Sequence, residues 1–83
     1  MSTVPAASLL NFLSGIGAQG LIHCGALAHP ITGERAVDKD LARYTVELLV
    51  ILEAKTRGNR TPEEDAYLTG MVADLQAKLA ALG

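Results

Sequence analysis

Residues 53–64 read EAKTRGNRTPEE, and the fold turns on whether this stretch is a phosphate-gripping loop or the corner between two helices. Lys55, Arg57 and Arg60 surround Gly58 and Asn59, as in a loop that cradles an anion. A Walker-type loop needs GxxxxGK followed by Ser or Thr, and the chain has no such run. Helix punctuation accounts for nearly every residue instead. Arg57 closes one helix, and Gly58 takes the C′ position, where positive φ is cheapest. Asn59 and Arg60 bridge the gap. Thr61 is the N-cap of the next helix and Pro62 its first residue. Glu64, three residues after Thr61, completes a capping box. Glu63, Glu64 and Asp65 place negative charge where the helix dipole favours it, and there they would repel a phosphate. The stretch is a corner, and a corner this short makes its two helices an antiparallel αα-hairpin.

Working outward, the preceding helix spans about 39–57, with Asp38 as its N-cap. Projection at about 100° per residue puts Leu41, Tyr44, Thr45, Leu48, Leu49, Ile51 and Leu52 on its inner face. Lys39, Arg43, Glu47 and Arg57 lie outside, with Val46 and Val50 intruding among them. The helix after the corner spans about 62–82. Its stripe of Leu68, Met71, Val72, Leu75, Leu79 and Leu82 repeats near heptad intervals, the pattern of a core face.

Upstream, AHPITGERAVD (residues 28–38) is a connection. Pro30 disfavours helix at His29, and Thr32–Gly33 supplies turn chemistry. Before it comes a long apolar helix over about 8–27. Leu9, Leu10, Phe12, Leu13, Ile16, Leu21, Cys24 and Leu27 fall on one wide arc. The opposite side holds Ser8, Asn11, Ser14, Gly15, Ala18, Gln19 and Gly25, with Ile22 among them, and no charge. Indeed no Lys, Arg, Asp or Glu precedes Glu34. Gly15, Gly17 and Gly20 each cost about 1 kcal/mol relative to alanine in a helix interior. Close approach by another helix offsets such a cost; a kink near Gly15–Gly17 is the alternative.

The expected fold is therefore all-α, one domain over residues 1–83: a long apolar first helix, then the hairpin. With 83 residues and a single cysteine, no disulfide can staple a domain too small to be secure alone. The chain has no CxxC and no HExxH, hence no strong metal signature. A partner chain is the remaining staple. Composition fits, with 49% hydrophobic, 19% charged and 4% aromatic residues. A net charge of −2 gives no global attraction to nucleic acid or to an anionic membrane. The first helix has the length of a membrane span but carries four polar residues and four glycines between Ser8 and Ala28, without basic flanks. Met1–Ser2–Thr3–Val4 offers no basic n-region for export. A lone thiol and no export signal make the cytoplasm the expected compartment.

The order of these residues resembles the bacterial domain-of-unknown-function family number 1844. Its members carry a Ser-started apolar helix with an internal Gln and a terminal Gly, as Ser8, Gln19 and Gly25 stand here. A proline-containing turn with a TGE-like segment follows, and then an LAR…LL..L..KT.GN.T.EE pattern. Here that pattern is Leu41–Ala42–Arg43, Leu48–Leu49, Leu52, Lys55–Thr56, Gly58–Asn59, Thr61, Glu63 and Glu64. The resemblance covers the chain from Ser8, and the KTxGNxTxEE segment is its most specific part. It implies a small helical cytoplasmic protein and no activity. Two departures stand out. Arg60 replaces the apolar residue usual after GN, so any staple to Asp65 is ionic. The ending LQAKLAALG lacks the family's LR-and-aromatic pattern, so no role of such residues carries over.

No catalytic site, cofactor site or metal site is expected. His23 and Cys24 are neighbours on a helix and point about 100° apart, and with His29 they lack a fourth zinc ligand. No nucleophile–base pair has a recognisable spacing. The reading is a small non-enzymatic structural or protein-interaction module that forms a homodimer through its first helix, with Ser14, Gly15, Ala18, Ile22 and Gly25 at the contact. A further protein partner is left open. The alternative is a weak nucleic-acid-binding accessory using Lys55, Arg57 and Arg60. Against it stand the acidic balance and only three aromatics, Phe12, Tyr44 and Tyr67. The corner itself is testable: Thr61→Ala should cost on the order of 1 kcal/mol, and Gly58→Val more if Gly58 holds a positive φ. Urea melts indifferent to both changes would contradict a helix–corner–helix.

Overall fold

The structure, a computed structural model, describes Val4 and residues 6–83. Each helix begins where a short polar side chain supplies an acceptor for the free N–H groups of a first turn. α1 (Leu9–His23) follows Ser8, whose Oγ accepts from the Asn11 N–H at 3.0 Å. α2 (Lys39–Lys55) follows Asp38, whose Oδ1 accepts from the Leu41 N–H at 3.0 Å. α3 (Pro62–Ala81) follows Thr61 in a complete capping box. The Glu64 N–H donates to Thr61 Oγ1 at 3.1 Å, and the Thr61 N–H donates to Glu64 Oε1 at 2.8 Å. No strand forms among the described residues; an isolated antiparallel bridge joins Cys24 to Val37.

The ends of α1 and α2 differ from expectation for local reasons. α1 stops at His23, not near Leu27. The Gly25 N–H donates to Ile22 O at 3.0 Å and the Ala26 N–H to Leu21 O at 2.9 Å, the paired bonds of a Schellman cap with Gly25 at C′ and φ of 77°. Gly25 is thus off the helix, and Leu27 is exposed rather than on the buried arc. α1 runs unbroken through Gly15 and Gly17, so the kink does not occur. α2 ends at Lys55, capped by Thr56. Gly58, φ 83°, sits one residue beyond C′, in a turn closed by the Asn59 N–H donating to Thr56 O at 2.9 Å. That third turn position with positive φ still calls for glycine.

The three helices enclose one core. Leu13 from α1, Leu49 from α2, and Leu68 and Leu75 from α3 are fully buried, and Cys24, Ala42, Val46 and Val72 complete it. On α1 the buried helical positions are Leu13, Gly17 and Gly20, steps of four and three along one face. A Cβ on Gly20 would stand 2.7 Å from Leu75 Cδ1 and 3.2 Å from Thr45 Cγ2. One on Gly17 would meet Tyr67 Oη at 2.5 Å and Met71 Cε at 3.2 Å. The close approach that offsets these two glycines therefore comes from α3 and α2 of the same chain. Gly15 faces open space.

α3 buries Leu68, Val72 and Leu75, with Met71, Leu79 and Leu82 packed alongside. α2 is turned relative to its expected face. Ala42, Thr45, Val46 and Leu49 are buried and Leu52 is packed at the edge, while Leu41, Tyr44 and Ile51 are exposed. α2 has a neighbour on each side, so its buried arc centres between α1 and α3, and Val46 turns inward beside Ala42. The buried Thr45 hydroxyl donates to Leu41 O at 2.8 Å, so its burial leaves no unpaired donor. Lys39 Nζ donates to Gly83 O, joining the start of α2 to the end of α3. No helix among the described residues is long and apolar enough to cross a membrane.

Two glycine-to-alanine changes on α1 should have opposite signs. Gly15→Ala adds a methyl to open space and should stabilise by up to about 1 kcal/mol. Gly20→Ala gains the same propensity but forces buried Leu75 and Thr45 apart, a net loss of about 1–2 kcal/mol. Denaturant melts of the two variants decide it, and equal shifts would contradict this packing.

Candidate interaction surface

The surface features that sequence reasoning singled out lie in three places, and the structure adds a fourth. The corner is the best defined. Arg60 reaches back so that Nη1 donates to Glu53 O at 3.0 Å, and Nη2 pairs with Asp65 Oδ1 at 2.8 Å. Glu53 O belongs to the last turn of α2 and Asp65 to the first turn of α3. One guanidinium thus ties a free carbonyl of one helix to an acid at the positive end of the next. The Arg60 side chain is only 11% exposed, and its Nε has no hydrogen-bond partner among the described residues. Lys55 and Arg57 stay exposed. The three cations do not form one patch, because Arg60 is committed to the corner. Asp38, Gly58, Asn59, Thr61 and Glu64 all serve helix ends or the turn between them.

The second place is the end of α1. His23 is half-buried, Cys24 buried and His29 exposed. Burial pushes the Cys24 thiol above its ordinary value, partly countered by Lys78, so it is protonated and unreactive at neutral pH. A pocket of ≈ 250 Å³ opens here between Ile22, His23, His29, Thr32, Glu34 and Leu41. Two of its polar side-chain atoms serve the connection. His29 Nδ1 accepts from the Ile31 N–H at 3.1 Å, and Thr32 Oγ1 accepts from the Glu34 N–H at 3.3 Å. No three His, Cys, Asp or Glu side chains among the described residues are grouped to hold a metal ion.

The third is the small-residue flank of α1. Ser14, Ala18 and Ile22 are half-buried within the chain, and only Gly15 is fully open. Ser14 Oγ donates to Leu10 O at 2.8 Å. With Gly25 displaced into the Schellman turn, this flank offers less surface than its sequence suggested.

The fourth was missed. Phe12 is 57% exposed, Leu41 44%, Tyr44 57% and Ile51 54%. Gly17 marks the side of α1 against α3, and Gly20 the line where α1 meets both α3 and α2. Phe12 lies about 80° further round in the same sense, on the flank beside α2. On α2, Thr45 faces α1, and Leu41, Leu48, Tyr44 and Ile51 follow on the side away from Val46. These residues share one outer flank of the α1–α2 pair. The signal was available: Leu41, Tyr44, Leu48 and Ile51 repeat at steps of three and four, but so does the buried set Ala42, Thr45 and Leu49.

Comparison with curated proteins and with solved structures finds no match. The sequence model of a family described as a domain of unknown function (DUF1844) matches residues 6–81.

The corner geometry predicts unequal roles for its cations. Arg60→Met should lose on the order of 1–2 kcal/mol, since it leaves a part-buried carbonyl without its donor and removes the charge pair with Asp65. Lys55→Ala and Arg57→Ala should each stay within about 0.5 kcal/mol of the parent. Equal melting shifts for all three would contradict the clamp.

Proposed function

The chain belongs to the family described as a domain of unknown function (DUF1844), and on that premise we propose that it is a small non-enzymatic structural or protein-interaction module that pairs with a second copy of itself, with α1 in the contact. The observation that carries this reading is the mismatch between core and surface. Four large side chains are fully buried, while another four on α1 and α2 stand about half exposed. A contiguous apolar patch of this kind, the size of the largest on a typical monomer, is often functional, and short domains without a disulfide gain stability by association. The absence of any charged residue on α1 supports a protein neighbour over solvent on its outer side. A cytoplasmic setting accords with the single thiol. The nucleic-acid reading loses ground because Arg60, one of its three cations, is already engaged.

Light scattering on the purified chain should give twice the 8.7 kDa chain mass at micromolar concentration, with a melting temperature that rises with concentration. A cooperatively folding monomer at those concentrations refutes the proposal.

A further inference from the structure

Resting on that self-association, we infer that the second copy seats on the flank shared by α1 and α2, around Phe12, Leu41, Tyr44 and Ile51, and not on the small-residue flank of α1.

Spacing is the first argument. Leu41, Tyr44, Leu48 and Ile51 follow one another along α2 at steps of three, four and three, the seam spacing of a two-helix coiled coil. A seam of that kind is self-complementary: knobs of one copy enter holes of an identical copy, as a twofold contact requires. The intramolecular core leaves this seam out, since Leu41, Tyr44 and Ile51 are exposed and Leu48 is half-buried.

Area is the second. Side chains of this size, each about half exposed, leave roughly 400 Å² of apolar surface, and somewhat more with Leu48. A standard interface takes about 800 Å² per partner. About 65% of a homodimer contact is apolar, or roughly 520 Å². The exposed flank therefore matches the apolar centre of one such contact.

Charge is the third. α1 contributes none, and the seam positions of α2 carry none until Lys55, with the exposed acids Asp40 and Glu47 along its rim. A nucleic acid would meet acids there and no cation but Lys55. An identical uncharged seam brings no ion that burial must desolvate.

The experiment uses the full chain and three substitutions, with sedimentation equilibrium and circular dichroism on each. Tyr44→Glu and Ile51→Glu lie on exposed positions, so helicity should be kept while the dissociation constant rises by about 30-fold or more. Ala18→Arg, on the other flank, should leave the pair intact. As a check independent of folding, Tyr44→Cys in a Cys24→Ser background should form a covalent dimer with a short bismaleimide. A pair that survives both glutamate changes but is lost in Ala18→Arg overturns this surface and leaves self-association standing. A wild-type chain that is monomeric throughout overturns both. Loss of the pair with the glutamates, together with cross-linking at position 44, supports the seam.

Discussion

The packing of α1 rests on two missing methyl groups. At Gly17 and Gly20 the helix surface is bare backbone, and Tyr67, Met71, Leu75 and Thr45 occupy the space that Cβ atoms would fill. Side chains from two other helices converge there. α1 can therefore lie in the groove between α2 and α3, with Leu13 and Cys24 buried above and below the glycines. Each glycine weakens an isolated helix, but the contact it permits returns that loss as burial of Leu75 and Leu13. Such a helix is stable in the bundle and poor outside it.

The corner supplies the complementary constraint. Antiparallel α2 and α3 need their shared end closed over few residues, while α2 leaves carbonyls and α3 leaves N–H groups unpaired. Thr61 and Glu64 satisfy the α3 side reciprocally. Arg60 reaches a carbonyl on the α2 side and the first turn of α3 together. The far end of the hairpin is joined through Lys39 and the carbonyl of Gly83. Basic residues that could have been read as a binding patch are thus divided between structure and solvent, and the surface left unaccounted for is apolar. This moves attention from the corner to the α1–α2 flank.

Local chemistry was legible in the sequence. Three helices, the starts at Asp38 and Thr61, and the capping box to Glu64 depend on hydrogen bonds spanning three residues, so neighbouring identities suffice to read them. The core stripe of α3 was legible too, because Leu68, Val72 and Leu75 face both other helices and stand in a single apolar row. The stop at Gly25 was misread as a continuing helix because an apolar run continues to Leu27, although the glycine itself was the stop signal.

The rotational setting of α1 and α2 was decided only by tertiary structure. On both helices apolar residues cover more than half the circumference, so projection defines a broad arc and not its centre. Where the centre falls depends on where two other helices lie. For α1 that is the Leu13–Gly17–Gly20 line, with Phe12 left outside; for α2 it is Ala42, Thr45, Val46 and Leu49, with Leu41, Tyr44 and Ile51 left outside. Glycine has no side chain to register as hydrophobic, so Gly17 and Gly20 announced a close approach only through their cost to the helix, and the fold alone shows that α3 and α2 of the same chain make it.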